Sequence, residues 1–379
     1  MFFFVKWGTR TFGVSLRIRC IKKAWQGDFR HLCPCEETMM KNTQPRNAAY
    51  YSQVRKRLSG EASAFCKNKN AVIFACNEAY AFCTYVSLVT FFKHSPVLAQ
   101  QSDVYVYCYQ VDAALRRIFE GVSAQVRVIE YDFPYPIALS KQVVAFSPAS
   151  FARYEGFYLL DMYERVLYLD ADVLVRKELK SLLEQVPGGV GMSYDPAIKT
   201  VGQNFFHLPA VLKNPATRGF NSGCLVLTRA LPHTGKFARL GDWCYQKTAE
   251  WAEEVFLPDQ AVLNTAVEVF NWPITPLSWK FNCPASSSWL RLKRASVIHS
   301  TGPRKFWCYY YFREWYGAYQ QWNAQGGRPA VRHDSLAYQK FCLKFGLHRQ
   351  VFFQLLPDFF VHPLKAIVFI FKKVLRLEF

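Results

Sequence analysis

The sequence predicts an α/β protein in which a mixed, mostly parallel sheet is flanked by helices. Two observations favour this class. Short uninterrupted apolar runs occur at residues 71–76, 104–108 and 166–169, and a further strand that includes Arg127 is predicted at 126–129. Uninterrupted apolar runs are typical of strands buried on both faces. These runs alternate with segments that read as helices, which is typical of parallel strands joined by helical crossovers.

The remaining elements are predicted in order along the chain. Residues 78–92 and 113–119 follow the first two strands and are predicted as helices. Ser147 and Pro148 form a favourable start for a further helix, because proline at the first helical position has no amide to satisfy. Later strands are predicted at 223–227 and 297–298, and later helices at 235–249 and 259–269.

Charge is spread unevenly over the 379 residues, whose formal net charge is +19. Residues 1–70 carry 14 basic and 4 acidic side chains, and residues 328–379 carry 9 and 3. The centre, 71–327, has 24 and 21. Basic arms of this kind suit an anionic surface, either membrane headgroups or nucleic acid. No RNA-binding or helix-turn-helix motif is present, so we expect no nucleic-acid partner.

Targeting and redox signals point to the cytoplasm. No run of about 20 uncharged apolar residues occurs, so a transmembrane helix is not expected. Lys6 and Arg10 interrupt the apolar start of the chain, which makes it a poor signal peptide. Most of the twelve cysteines are scattered, and we expect free thiols in a reducing compartment. A zinc site from Cys20, His31, Cys33 and Cys35 is an alternative for the first cluster.

The sharpest motif is Asp170-Ala171-Asp172, which follows the predicted strand at 166–169. On an extended backbone, residues two apart point to the same side, so both carboxylates converge at the C-terminal edge of the sheet. Oxygen ligands of this kind suit Mg²⁺ or Mn²⁺, and a diphosphate would supply further oxygens. The alternative is a solvated turn without a metal.

A second motif surrounds His299, at the end of a predicted strand. An imidazole nitrogen added to an oxygen-rich site favours Mn²⁺ over Mg²⁺. Gly302 permits close approach of the backbone to a phosphate, and Lys305 offers a flexible charge for one. A histidine at this place is otherwise a structural residue.

Two more short motifs have both a structural and a functional interpretation. Asn221-Ser222-Gly223 precedes an apolar strand, and Pro258-Asp259-Gln260 opens a helix. Proline and aspartate in a first helical turn are explained by the helix dipole alone. The same turn also holds an acid and an amide rigidly, so a catalytic role stays open.

The order of these motifs resembles family 8 of the retaining glycosyltransferases, the group of glycogenin and the bacterial lipopolysaccharide galactosyltransferases. The resemblance runs from about Asn70 to Trp307. Its five landmarks are Phe74-Ala-Cys-Asn77-Glu-Ala-Tyr80, Asp170-Ala-Asp172, Phe220-Asn-Ser-Gly223, Asp259-Gln260 with Leu263-Asn264, and His299 to Trp307.

The resemblance implies a GT-A fold with a single Rossmann-like sheet, and a UDP-sugar donor. It implies that Asp170, Asp172 and His299 bind Mn²⁺, with Mg²⁺ as the alternative ion. Asp259 and Gln260 would flank the anomeric carbon, and Lys305 would act in catalysis. The other implied donor contacts are uridine near Phe74, Cys76, Asn77 and Tyr80, the donor near Arg153 and Ala171, the sugar near Asn221 and Ser222, and the diphosphate near Gly302 and Lys305.

The sequence departs from the family pattern in three places. Phe256 stands where glycogenin has an aspartate, three residues before the Asp-Gln pair. Ser300 replaces the phenylalanine after the histidine, and Phe306 replaces the proline before Trp307. The first departure affects the expected contacts with the donor sugar and the acceptor, and the other two do not touch metal binding.

The predicted activity is therefore Mn²⁺-dependent transfer of a hexosyl unit, with retention, to a glycan or glycolipid acceptor, as in cell-envelope polysaccharide synthesis. One alternative is a self-glycosylating primer like glycogenin, with an acceptor tyrosine at Tyr109, Tyr194 or 309–311. Another alternative is a catalytically inactive nucleotide-binding protein.

We predict three regions: a basic irregular extension over 1–69, the GT-A domain over 70–307, and a helical C-terminal region over 308–379. In the last region, residues 364–379 are too short to span a bilayer. At helical spacing Lys365, Lys372 and Arg376 fall on one stripe of a mostly apolar segment. A basic amphipathic helix on anionic lipid is predicted, which would place the protein peripherally on the inner face of the membrane. Packing of this helix on the core is the alternative.

Overall fold

The computed structural model describes residues 48–136, 147–302, 305–307 and 312–329. Within these ranges it contains a seven-stranded and a three-stranded sheet. The strands are β1 (Asn70–Asn77), β2 (Ser102–Tyr109), β3 (Val126–Tyr131), β4 (Arg165–Leu169), β5 (Val173–Val175), β6 (Val190–Tyr194), β7 (Phe220–Thr228), β8 (Ile274–Pro276), β9 (Cys283–Pro284) and β10 (Val297–His299).

Helices connect and cover these strands. The α-helices are α1 (Ala48–Ser63), α2 (Ala81–His94), α3 (Pro96–Gln100), α4 (Ala113–Glu120), α5 (Glu155–Leu159), α6 (Lys180–Glu184), α7 (Ala238–Glu250), α8 (Pro258–Val269), α9 (Trp289–Arg294) and α10 (Arg313–Ala324). Short 3-10 helices lie at Glu78–Tyr80, Pro148–Tyr154, Val201–Asn204 and Trp279–Phe281.

The large sheet has the strand order β3-β2-β1-β4-β7-β6-β8. The strands β3, β2, β1 and β4 are parallel, whereas β7 runs antiparallel to both β4 and β6. Each predicted strand is observed, with longer bounds for most of them. The mixed, mostly parallel sheet flanked by helices confirms the predicted α/β class.

The central strands of the large sheet are buried on both faces, which explains their uninterrupted apolar runs. On β1, Val72 and Phe74 belong to one hydrophobic core, while Ala71 and Ile73 belong to the other. Strands β2, β4 and β7 alternate in the same way. Because neither face meets water, the sequence of these strands shows no polar alternation.

The small sheet has the order β5-β10-β9, and its strand β5 follows β4 directly in the sequence. Strand β10 runs antiparallel to β5, with His299 opposite Val173. The residue after β10, Ser300, donates its amide to the carbonyl of Asp172 at 3.0 Å. This pairing brings the end of β10 beside the loop that joins β4 to β5.

The structure differs from the prediction before β1. Part of the extension predicted to be irregular is the helix α1, which buries Val54, Leu58 and Ala62 at a spacing of four residues. The helix buries only a narrow apolar stripe and its composition is polar on average. The sequence therefore shows only a weak helical repeat of apolar residues. The helix predicted from Ser147 is also divided, into the 3-10 helix Pro148–Tyr154 and α5.

The last helix of the described ranges, α10, packs on α2. Trp315 and Tyr319 contact Phe82 edge-on, and Trp322 lies 5.4 Å from Tyr85 between ring centroids. The cysteines Cys76, Cys83, Cys108 and Cys224 are buried free thiols, as predicted. None of the helices in the described ranges combines the length and apolar character that crossing a bilayer requires.

Several predictions fall on residues outside the described ranges. These are the candidate zinc cluster within 20–35, the tyrosine cluster at 309–311 and the basic tail 364–379.

Candidate active site

Two carboxylates and an imidazole meet where β4 and β10 end. The Nε2 atom of His299 lies 3.4 Å from Oδ2 of Asp170 and 3.3 Å from Oδ1 of Asp172. One ligand atom from each residue can be chosen so that all lie within 4.8 Å of one another. This spacing and the mixed oxygen and nitrogen donor set fit a single divalent metal ion.

The orientation of His299 is fixed by Asn282, which follows the 3-10 helix Trp279–Phe281. The Nδ1 atom of His299 lies 2.8 Å from Oδ1 of Asn282. Because an amide oxygen only accepts hydrogen bonds, Nδ1 donates to Asn282 and Nε2 faces the two carboxylates. The Nδ2 atom of Asn282 in turn donates to Asn221 at 2.7 Å.

Gly223 on β7 leaves the space that the side chains of His299 and Asp170 occupy. A Cβ atom at this position would lie 2.2 Å from Cε1 of His299 and 2.6 Å from Oδ2 of Asp170. Neither contact is possible without displacing a predicted metal ligand. The carbonyl of Gly223 also accepts the amide of Asp170 at 3.0 Å, so β7 holds the start of the Asp-x-Asp loop.

Arg153, in the 3-10 helix Pro148–Tyr154, joins the cluster to the start of α8. Its Nη2 donates to Oδ1 of Asp170 at 2.9 Å, and its Nη1 lies 2.7 Å from Oδ2 of Asp259. A third bond, from Nη1 to the carbonyl of Ser222, is 2.9 Å long. Burial opposes the charged guanidinium, but Asp259 and Asp170 together raise the pKa of Arg153, so it stays ionised.

Lys305 lies on the other side of Asp172. Its Nζ donates to Oδ2 of Asp172 and, at 2.9 Å, to the carbonyl of Ser300. Burial alone would raise the pKa of Asp172, but Lys305 and His299 hold it well below its ordinary value. Gly302, three residues earlier, has a φ of 78°, a conformation that favours glycine.

A hydrogen-bonded amide and carboxylate layer continues from Asp259 along β7 and α8. Oγ of Ser222 donates to Oδ2 of Asp259 at 2.9 Å, and Nδ2 of Asn221 donates to Oε1 of Gln260 at 3.2 Å. Gln260 donates onward to Asn204 at 3.2 Å. The structure thus brings the Asn-Ser-Gly and Asp-Gln motifs into direct contact through residue pairs that are 37 and 39 positions apart in sequence.

The four residues predicted near the uridine differ in their exposure to the edge of the sheet. Asn77 and Tyr80 lie at the C-terminal end of β1, where the Asn77 side chain accepts the amide of Tyr80 at 3.0 Å. The side chains of Phe74 and Cys76 are instead buried in the core, and Phe74 packs edge-on against Phe91. Pairing of β1 with β4 covers only Asn70–Ile73, so a ligand at this edge would meet the backbone of 74–77.

Sequence reasoning missed polar residues that complete the layer. Asp195 follows β6 and accepts Nδ2 of Asn221 at 3.1 Å through Oδ2. Its Oδ1 accepts the amides of Ala197 and Ile198. Tyr168 donates to Oδ1 of Asp170 at 2.9 Å. An aspartate after a strand is a usable signal, but β6 contains glycine and serine and was not recognised as a strand.

Comparison with known proteins places this geometry in a family. The pattern of glycosyl transferase family 8 matches residues 71–310. A comparison with curated protein sequences found no match. Similar solved structures include the apo structure of the bifunctional glycosyltransferase WbbM (16% identity, TM-score 0.48, 69% of this chain and 51% of that chain).

Two other similar structures are those of the galactosyltransferase LgtC with donor and acceptor sugar analogues and of GlyE from Streptococcus pneumoniae TIGR4. LgtC is 19% identical with a TM-score of 0.43, over 70% of this chain and 99% of that chain. GlyE is 16% identical with a TM-score of 0.43, over 69% and 65%. This chain spans about half the length of WbbM.

The family match extends over more than half of the chain and includes each of the five landmarks. It agrees with the observed sheet, so the resemblance and the GT-A fold are both confirmed. This protein is a glycosyltransferase that belongs to glycosyl transferase family 8.

Proposed function

We propose that this enzyme transfers a hexosyl unit from a UDP-sugar, with Mn²⁺ as cofactor and with net retention. The observation that carries the proposal is the convergence of Asp170, Asp172 and His299 at one edge of the sheet. Open α/β sheets bind their ligands at this edge. Two carboxylates and one imidazole leave further coordination positions for the oxygens of a diphosphate.

The donor is proposed to lie from β1 towards α8. Asn77 and Tyr80, with the backbone of 74–77, would border the uridine. Gly302 and Lys305 would bind the diphosphate, since a positive φ lets the backbone approach closely and the ammonium group supplies charge. The sugar would lie near Arg153, Ala171 and the polar layer of Asn221, Ser222, Asp259 and Gln260.

The bound metal would stabilise the negative charge that develops on the departing diphosphate. Lys305 is placed to add to this effect, because Asp172 raises its pKa and keeps it protonated. In the complex, its ammonium group would turn from Asp172 towards the diphosphate. Fixed positive groups at the site of developing charge are usually the largest single contribution to such a reaction.

Retention is proposed to arise by attack on the same face as the leaving group. Asp259 would otherwise be the nearest nucleophile, but its Oδ2 accepts bonds from both Arg153 and Ser222, which reduce its nucleophilicity. In the same-face step, the acceptor oxygen bonds to the anomeric carbon as the bond to the β-phosphate oxygen breaks. The acceptor proton passes to that phosphate oxygen, and Gln260 orients the sugar.

The experiment that tests the proposal measures UDP release from a set of UDP-hexoses with and without Mn²⁺. Asp170→Asn should reduce Mn²⁺-dependent turnover by on the order of a hundredfold or more, since several kcal/mol of charge stabilisation depend on the metal. Asp112→Asn is the matched control, because it also replaces a carboxylate by an amide. Asp112 is the N-cap of α4, a position where asparagine caps as well as aspartate does. Undiminished turnover in Asp170→Asn would remove the carboxylate pair from the mechanism.

The acceptor is proposed to be a glycan or glycolipid of the cell envelope, reached at the inner face of the cytoplasmic membrane. Two features support this. The chain has a large basic excess, and the sequence of residues 364–379 combines bulky apolar residues with Lys365, Lys372, Lys373 and Arg376. Such a segment fits an anionic lipid surface.

A further inference from the structure

The helix α1 lies outside the residues that match the family, yet it contacts the segment that carries Arg153. Nη1 and Nη2 of Arg55 donate to the two carboxylate oxygens of Glu155 at 2.7 and 2.5 Å. The guanidinium carbon of Arg55 also lies 3.6 Å from the ring centroid of Tyr158. Two parallel bonds of this kind fix the relative orientation of the two groups as well as their separation.

The Glu155 carboxylate depends on this partner. Its residue is 1% exposed, and a buried charge without a counter-charge is strongly unfavourable. The hydroxyl of Tyr245 donates to Oε1 at 2.6 Å and completes the set. Burial opposes the charge on Arg55, but Glu155 raises the pKa of the guanidinium, so Arg55 stays ionised.

Glu155 and Arg153 are fixed to opposite sides of one continuous helical stretch. Glu155 begins α5 directly after the 3-10 helix Pro148–Tyr154, and Arg153 lies two residues before it. Two residues along a helix correspond to a rotation of roughly 200° about its axis, so their side chains point to nearly opposite sides. Accordingly, Glu155 faces α1, while Arg153 faces Asp170 and Asp259. A 3-10 helix has weaker internal hydrogen bonds than an α-helix, so its position depends on such external contacts.

Other contacts attach α1 elsewhere. Arg57 donates to the carbonyl of Glu130 on β3, and Tyr50 donates to Asp132. These bonds hold the helix against the sheet but do not involve the Arg153 segment. The bonds of Arg55, in contrast, reach the helical stretch that enters the active site.

We propose that Arg55 is a positioning residue for sugar transfer, which acts through Glu155 to hold Arg153 against Asp170 and Asp259. This inference rests on the proposed function, because it takes Asp170 as a metal ligand. It extends that function to a helix that precedes the family domain. With Arg55 in place, Oδ1 of Asp170 is bound to Arg153 and Oδ2 faces His299. Without it, the 3-10 helix shifts and the Asp170 carboxylate loses this orientation.

The test uses the full chain and measures Mn²⁺ binding by electron paramagnetic resonance, which counts free Mn²⁺ and needs no turnover. Arg55→Met should raise the Kd for Mn²⁺ about tenfold, the smaller end of the effects seen for groups that orient ligands. At saturating Mn²⁺, kcat should fall about as much, while KM for the donor stays within about twofold. Arg57→Met is the matched control, and its Kd and kcat should match those of the unsubstituted protein.

A second variant separates positioning from folding. Arg55→Met leaves Glu155 without a counter-charge, so its melting temperature should fall. Arg55→Met with Glu155→Gln removes both charges and should recover the melting temperature, while Mn²⁺ binding stays weak because the two-bond contact is still missing. Recovery of the original Kd in this double variant would overturn the proposal, and so would an equal loss in Arg57→Met.

Failure of the inference and failure of the proposed function give different results. If the unsubstituted protein transfers sugar and Arg55→Met behaves like it, the positioning role falls and the function stands. If the unsubstituted protein binds Mn²⁺ but transfers no hexose from any UDP-sugar, the proposed function falls. The Arg55 comparison then still decides the positioning role through Mn²⁺ affinity.

Discussion

Gly223 makes the predicted metal site sensitive to the addition of one methyl group. We expect Gly223→Ala to raise the Kd for Mn²⁺ by at least about tenfold, because the new Cβ would have to displace His299 or Asp170 and so disturb their orientation. The measurement is a Mn²⁺ titration of the purified protein, with circular dichroism to confirm that it is folded.

Gly60 provides the control for this substitution. It lies in α1, and a Cβ atom there would have no neighbour within 4 Å. Gly60→Ala should leave Mn²⁺ binding unchanged and stabilise the helix by about 1 kcal/mol, since alanine has the higher helix propensity. Equal Mn²⁺ affinity in the two variants would show that the space beside Gly223 is not needed for the metal.

Asn282 determines which nitrogen of His299 faces the carboxylates. Asn282→Ala removes the acceptor at Nδ1, so the imidazole can rotate or change tautomer. We expect the Kd for Mn²⁺ to rise roughly 10- to 100-fold, the range typical of partners that orient metal ligands. Asn282→Asp keeps an acceptor at this position and should retain most of the affinity. An alanine variant with undiminished affinity would contradict the orienting role.

Single residues of the site differ in how far the sequence could reveal them. Asp170 and Asp172 were predictable because strand geometry alone makes residues two apart converge. His299 was predictable because it ends an apolar strand. Asn282 could not be found this way, since its contact with His299 arises from tertiary packing. Asp195 follows a strand whose glycine and serine leave no clear apolar pattern.

At the scale of elements, one carboxylate caps two helices that are distant in sequence. Glu178 accepts the amides of Val97 and Leu98 in the first turn of α3. It also accepts the amide of Lys180 at the start of α6. Burial opposes ionisation, but the hydroxyl of Ser95 and these amides lower the pKa of Glu178. Both helices are five residues long, so each depends on its cap.

Glu178→Gln should therefore lower the free energy of unfolding by about 1 kcal/mol at pH 7. Because the folded pKa is depressed, this stabilisation is complete above the unfolded pKa of about 4.3 and is lost as the pH falls through the lower folded value. Urea unfolding at several pH values measures the difference. Glu184→Gln, which changes only an exposed pair with Lys180, should have an effect below about 0.5 kcal/mol. A pH-independent difference for Glu178→Gln would exclude the charge as its cause.

The strands that the sequence predicts most clearly are those with both faces buried. Strands β1, β2 and β4 were recognised because both of their faces lie in a hydrophobic core. Strand β6 contains Gly191 and Ser193, and β9 has two residues, so neither has a readable period. Helix α1 is not predicted from the sequence, because its position depends on bonds to Glu155 and Asp132 rather than on a broad apolar face.

At the scale of the whole molecule, the basic excess leads to a prediction about lipid surfaces. Each of the four basic residues in 364–379 should contribute about 1 kcal/mol near an anionic leaflet, or roughly 4 kcal/mol together. A chain truncated after Pro363 should hydrolyse the donor but lose co-sedimentation with vesicles that contain anionic lipid. The binding should also weaken in high salt, since exposed charges are screened within about 8 Å at physiological ionic strength.

Vesicles of neutral lipid are the control for this prediction. The full chain should bind them less than anionic ones, because only the apolar insertion remains. Equal co-sedimentation of the truncated and full chains with anionic vesicles would leave the tail as a helix packed on the protein. The membrane assignment would then have no support from this segment.

The packing of α10 on α2 has a consequence for any shorter version of this enzyme. A chain that stopped at Trp307 would keep every residue assigned to the donor and the metal. It would also uncover the rings of Phe82 and Tyr85, which α10 now covers with Trp315, Tyr319 and Trp322. Contiguous apolar surface of this kind promotes self-association. A chain ended at Trp307 is therefore expected to self-associate, although it retains the residues assigned to the donor and the metal.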